Sequence, residues 1–181
     1  MRLIPITLCL SIGLVGCQTP HSSPSEFTPL LTSIEQRLNL ASSVAVHKWD
    51  KHLPVESTRR EAQVLSQARE MAPDHNLSPE RAAAFFTDQI EANKIIQYTL
   101  LDRWTRMGYR PPATRMDLAR DLRPHLDKLQ VSLLKELSRF DQQQPEDCQR
   151  KLSHALAQRA NDWLHHQALL RATLQLCTQQ S

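Results

Sequence analysis

Residues 78–108 read SPERAAAFFTDQIEANKIIQYTLLDRWTRMG, and this stretch decides the fold class. Ser78 suits an N-cap, Pro79 suits the first helical position, and Glu80 puts an acid where the helix dipole favours one. The spacing predicts a helix from Pro79 to about Met107, with Gly108 as its C-cap. On a helical wheel Phe86, Ile90, Leu100, Leu101 and Trp104 share one face. Gln89, Asn93 and Gln97, each four apart, sit in the middle of that face. A row of amides turned inward leaves donors and acceptors that need partners.

The sequence around this helix has the same character. The 181 residues contain three glycines, and two of them, Gly13 and Gly16, lie near the N-terminus. Rossmann, P-loop and most β architectures need more residues able to take positive φ. A first helix is expected over Pro29–His52, ending before Pro54. A second starts near Ser57 or Thr58, where Thr58 and Glu61 fit a capping box, and stops at Pro73. After a loop over Tyr109–Thr114, a fourth runs from Asp117 to Phe140 with a possible kink at Pro124. Glu146 to Trp163 and His165 to Gln179 form a last pair. The fold class is therefore all-α, a single-domain bundle of about six helices.

The formal net charge of +3 is too small, and the basic residues too interspersed with acids, to indicate nucleic acid. Arg2 followed by apolar Leu3–Val15 reads as a signal peptide over residues 1–17, too short to span a bilayer. Leu14-Val15-Gly16-Cys17 resembles a bacterial lipobox, which makes Cys17 the candidate lipidation site. The alternative is an ordinary cleaved signal with an incidental cysteine. Membrane association is expected only through that anchor. Residues 18–29 read as a flexible tether, followed by a domain over 30–181: core helices 30–108 and C-terminal helices 117–181. Export leaves Cys148 and Cys177 in a compartment that permits disulfides. If they pair, the last region folds back on itself, because one unbroken helix would hold them about 43 Å apart. Otherwise they are two free buried thiols.

In the first helix Leu30, Ile34, Leu38, Ala41 and Ala45 form an apolar stripe. Arg37 and Lys48, eleven positions apart and about 20° on the wheel, fall inside it. Cations facing a core are costly unless an anion meets them. They could instead snorkel, or pair with Glu35 or Asp50. Arg60, early in the second helix, is a third candidate cation. Together with the amide row, these groups suggest a cavity for a small organic anion.

The stretch Ile34–Trp104 resembles the helical chorismate mutases, in particular their exported gamma subclass. The resemblance lies in Arg37-Leu38, Val44-Ala45-Val46-His47-Lys48-Trp49, Leu53-Pro54-Val55-Glu56 and Arg60-Glu61. It continues in Phe85-Phe86-Thr87-Asp88-Gln89-Ile90-Glu91-Ala92-Asn93 and Ile96-Gln97-Tyr98. The resemblance implies that Arg37 and Arg60 bind substrate carboxylates, and that Lys48 and Gln97 meet the ether oxygen of the breaking bond. Asn93 takes the polar position one turn earlier. Ser57 falls where related enzymes often carry an acid that meets the substrate hydroxyl, and neighbouring Glu56 is the alternative. Arg123 is the candidate for a further carboxylate-binding arginine, or else a solvated one. The subclass also joins two cysteines in its C-terminal half, which implies a Cys148–Cys177 disulfide. It further implies a periplasmic homodimer with a complete site in each subunit.

The implied reaction converts chorismate to prephenate, a step of aromatic amino acid biosynthesis, by intramolecular Claisen rearrangement. It requires no cofactor and no metal. Selecting the compact conformer is an orientation task, and the charge developing on the ether oxygen calls for fixed donors. A non-catalytic helical envelope lipoprotein that binds a small anion or a protein partner is the competing reading. The amide at Gln97 donates at any pH, whereas a glutamate there would donate only when protonated. The kcat for chorismate should accordingly stay nearly flat between about pH 5 and 8. A steep decline above about pH 6 would exclude this role for Gln97.

Overall fold

The computed structural model describes residues 26–159 and 162–177, and among these no strand occurs. Six α-helices follow one another: α1 Thr28–Lys51, α2 Thr58–Met71, α3 Pro79–Met107, α4 Arg123–Gln142, α5 Cys148–Ala157 and α6 Trp163–Ala172. A 3₁₀ turn over Ala72–His75 extends α2, and a π turn over Leu118–Leu122 leads into α4.

The helix ends follow local chemistry. Ser78 Oγ accepts the Arg81 N–H at 3.1 Å, and Gly108 closes α3 at φ 75°. Pro54 cannot continue α1, and the chain turns off through left-handed His52, whose N–H bonds the Lys48 and Trp49 carbonyls. At α2 the expected Thr58–Glu61 capping box is not formed, because Thr58 is already the first helical residue. Ser57 is the N-cap, but its hydroxyl makes no cap bond. Glu61 instead reaches back to the Ser57 N–H at 3.0 Å.

The helix expected over Asp117–Phe140 is present, but its first turn, Leu118–Leu122, is a π turn that runs without a break into α4. Asp117 caps the π turn by accepting the Ala119 and Arg120 N–H groups at 2.9 and 2.8 Å. Pro124 follows directly in α4 and has no N–H to give the preceding turn. The tether expected through Pro29 also ends sooner. Phe27 is buried, its ring centroid 5.4 Å from that of Phe140, and α1 has begun by Thr28. Cys17 and residues 18–25 lie outside the described residues.

Helix α3 lies at the centre and packs against α1, α2 and α6. Leu30, Leu31, Ile34 and Leu38 of α1 meet Phe85, Phe86 and Ile96 of α3 and Leu133, Leu134 and Leu137 of α4 in one core. A smaller cluster of Ala45, Val46 and Trp104 closes the other end, with Trp49 edge-on to Trp104 at 5.8 Å.

Polar contacts bind the C-terminal region to α3. Arg81 forks onto Asp141 at 3.0 and 2.8 Å and donates to the carbonyls of Gln175 and Leu176. Asp88 accepts from Arg171 and from the Gln175 N–H. Cys148 and Cys177 form a disulfide with Cα atoms 5.7 Å apart, so α5 and α6 fold back on each other. Cross-linking positions 29 residues apart restricts the unfolded chain. Replacing both cysteines with alanine should lower the unfolding free energy by about 3–4 kcal/mol in urea titrations, and an unchanged midpoint would contradict this.

Candidate active site

A cavity of about 370 Å³ opens between α1, α2, α3 and α4, roofed by the 53–57 loop. Helix α1 supplies the most constrained side chains. Its stripe of Leu30, Ile34, Leu38, Ala41 and Ala45 is buried in the core, which turns Arg37 and Lys48 inward with it. Arg37 is 6% and Lys48 8% exposed, too little for snorkelling. Nor do the neighbouring acids neutralise them. Glu35 pairs with Arg159 at 2.6 Å, and Asp50 is held by Arg110 at 2.8 Å and Arg115 at 3.0 Å.

The cost is visible in their acid–base balance. Burial, reinforced by nearby Arg60 and partly offset by Asp127, pushes the Arg37 guanidinium down to about 10. Its Nε has no hydrogen-bond partner. Burial likewise lowers Lys48; Glu61 opposes that shift, while Arg123 and Lys94 add to it. The Lys48 ammonium donates to the Val55 carbonyl at 2.5 Å, which ties the roof loop to α1.

Asn93 and Gln97 of α3 both reach the cavity. Asn93 Nδ2 is 3.5 Å from the Arg37 carbonyl, and Gln97 Nε2 donates to the Asn93 carbonyl at 3.3 Å, leaving Gln97 Oε1 unpartnered. Gln89, the third amide of that row, faces elsewhere: its Nε2 donates to the Ala172 carbonyl at 2.8 Å. One helical face therefore serves two neighbours, because α3 is sandwiched between α6 and the cavity.

Arg60 enters from α2, bonded to Asp127 at 2.5 Å and Gln63 at 3.1 Å. Arg123 lines the wall from the start of α4, without an ion-pair partner among the described residues. Ser57 and Glu56 both sit on the roof. The fold thus gathers Arg37, Lys48, Ser57, Arg60, Asn93, Gln97 and Arg123 around one cavity.

Other lining residues went unread in the sequence. Lys94 falls on the stripe Ile90, Lys94, Gln97, and Asp127 and Gln130 fall on the stripe Arg123, Asp127, Gln130. Both stripes have the three- and four-residue spacing of one helical face, a signal available once one member is placed. Glu61 was legible only as a cap. In all, Arg37, Lys48, Arg60, Lys94 and Arg123 face Glu56, Glu61 and Asp127, a surplus of two positive charges. That balance suits a small organic dianion.

Fold and cavity define a helical-bundle protein with a cationic cavity between its helices. Residues 28–98 match the family chorismate mutase type II. The chain is similar to the chorismate mutase of Burkholderia phymatum at 40% identity and TM-score 0.82, covering 86% of this chain and 98% of that one. It is similar to the chorismate mutase of Burkholderia thailandensis at 33% identity and TM-score 0.78, covering 84% and 99%. A secreted chorismate mutase of Mycobacterium tuberculosis is 28% identical over 97% of this chain and 94% of its own length. The chain belongs to the chorismate mutase family and is an isomerase of that family.

A lysine that must be charged to donate loses function as pH rises through its pKa. Because burial lowers the Lys48 pKa, kcat/KM for chorismate should fall on an alkaline limb below lysine's ordinary 10.5. A bound dianion restores the missing opposite charge, so the limb in kcat should lie higher than the limb in kcat/KM. Coincident limbs at or above 10.5 would show that Lys48 titrates unperturbed.

Proposed function

We propose that Arg37, Arg60 and Arg123 bind the two carboxylates of chorismate, and that Lys48 and Gln97 act at its ether oxygen. Asn93 supplies a further polar contact, and Ser57 or Glu56 meets the substrate hydroxyl. The observation that carries this reading is the burial of Arg37 and Lys48, unpaired with any acid, on the wall of a cavity that also holds the Gln97 amide.

Each group has a distinct physical task. The arginines present planar forks that match carboxylates and fix the substrate in its compact form, bringing the bond-forming carbons together. As the C–O bond lengthens, negative charge grows on the ether oxygen. The Lys48 ammonium and a Gln97 N–H stabilise that charge more strongly than they stabilise the ground state. Val64, Ile90 and Leu126 supply apolar wall, which excludes water and strengthens these interactions.

Several wider features belong to the same reading. The protein is exported to the periplasm and loses residues 1–16, in keeping with the secreted relative from Mycobacterium tuberculosis. Cys17 carries a lipid anchor, residues 18 onward tether a single catalytic domain, and two copies form a homodimer with one complete site in each.

The test is conversion of chorismate to prephenate by the purified mature chain. Lys48→Ala should lower kcat/KM by about 10²–10³-fold, the range found for removing one preorganised oxyanion donor. Lys51→Ala, exposed at the end of α1, should stay within about twofold of wild type. Equal activities in the two variants would reject this assignment of Lys48.

A further inference from the structure

A carboxylate stands in a cavity that has to admit two more negative charges. Glu61 lines the site from the first turn of α2. Its Oε1 accepts the Ser57 N–H at 3.0 Å, and its Oε2 lies 3.4 Å from the Lys94 ammonium. The same ammonium is 2.6 Å from Glu91 Oε1, one turn back on α3. Lys94 is itself largely buried, its side chain 15% exposed, and it lies on the cavity wall. It therefore bridges an acid inside the cavity to an acid outside the lining.

We infer that Lys94 is a positioning residue that masks the charge of Glu61 and pins its carboxylate to the start of α2, so that the cavity accepts a dianion. The inference rests on the proposed chorismate site and adds a residue to it. Two features separate Lys94 from a direct substrate ligand. Its ammonium is already engaged by two carboxylates, whereas Arg37 and Arg123 face the cavity without a bonded acid. And its acid partner also carries the backbone N–H of Ser57, so the ion pair holds the roof loop at its junction with α2.

The electrostatics of the neighbours agree with this. The hydrogen bond that the Lys94 ammonium donates to Glu91 holds it above lysine's usual value despite its burial, with Glu61 adding to the shift. Glu61 and Lys94 act on Lys48 with opposite signs, Glu61 favouring its charged form and Lys94 disfavouring it. Removing Lys94 would leave Glu61 free to draw on Lys48 and Arg60 and to repel an incoming carboxylate. The effect belongs to binding of the dianion and much less to the rearrangement once it is bound.

Steady-state kinetics with chorismate tests this. Lys94→Met should raise KM about tenfold while kcat changes less than about threefold, as expected for unmasking one charge near a partly buried site. Lys94→Arg, which keeps the charge, should recover KM to within about threefold of wild type. In a Glu61→Gln background there is no charge to mask, so adding Lys94→Met should change KM by less than about threefold. An equal rise in KM in both backgrounds would make Lys94 a direct ligand and overturn the inference, as would an unchanged KM in Lys94→Met. Either result with an active wild type and an inactive Lys48→Ala leaves the proposed function standing. A wild type that does not turn over chorismate removes both.

Discussion

Two cations are held in the dry interior of a helical bundle with no acid bonded to either. Burying a charge costs several kcal/mol even after relaxation, and a matching counter-ion usually offsets that cost. Here the nearest candidate acids on α1 are engaged by Arg110, Arg115 and Arg159, so neither Arg37 nor Lys48 has a bonded acid among the described residues. Much of the remaining architecture follows from that constraint. A site destabilised in this way has to be carried by a frame that is stable for other reasons.

That frame is largely the C-terminal half. The α5–α6 region touches none of the cavity, yet the segment from α6 onward is fastened to α3 by Arg81 on the Gln175 and Leu176 carbonyls, by Asp88 and by the Gln89 amide, and a disulfide closes α5 onto it. Helix α3 is thereby fixed along one face while the other presents Asn93, Lys94 and Gln97 to the cavity. Fixing the helix fixes the amides, and donors held in place beforehand stabilise charge that develops in a transition state. The aromatic contact of Phe27 with Phe140 secures α1 to α4 in the same manner.

The charge balance of the cavity is finer than a collection of positive residues. Three acids stand among the five cations, and two of them hold partners: Asp127 keeps Arg60 in place, and Glu61 engages Lys94 and the Ser57 backbone. Such internal pairs restrict long side chains whose freedom would otherwise be lost on binding. The surplus left over equals the charge of the substrate. A neutral amide at Gln97 leaves that balance untouched across the pH range in which a carboxyl would switch.

The sequence by itself determined the helices and most of the cationic and amide set. Arg37 and Lys48 were readable because the 3.6-residue period carries a charge into an apolar stripe only where something unusual faces it, and Ser78, Pro79 and Gly108 carry the start and stop of α3 in their own backbone preferences. The joined cysteines were legible as a possibility that a fold-back would satisfy. Tertiary structure decided the rest, because periodicity gives direction around a helix axis but not the neighbour in that direction. It sent Gln89 to α6 while its rowmates Asn93 and Gln97 met the cavity. It turned a capping glutamate into a wall residue, buried Phe27 in what read as a tether, and wound the start of the fourth helix as a π turn over Leu118–Leu122. It also brought Asp127 to Arg60 across 67 positions of chain, a pairing between α4 and α2 that leaves no mark in local sequence.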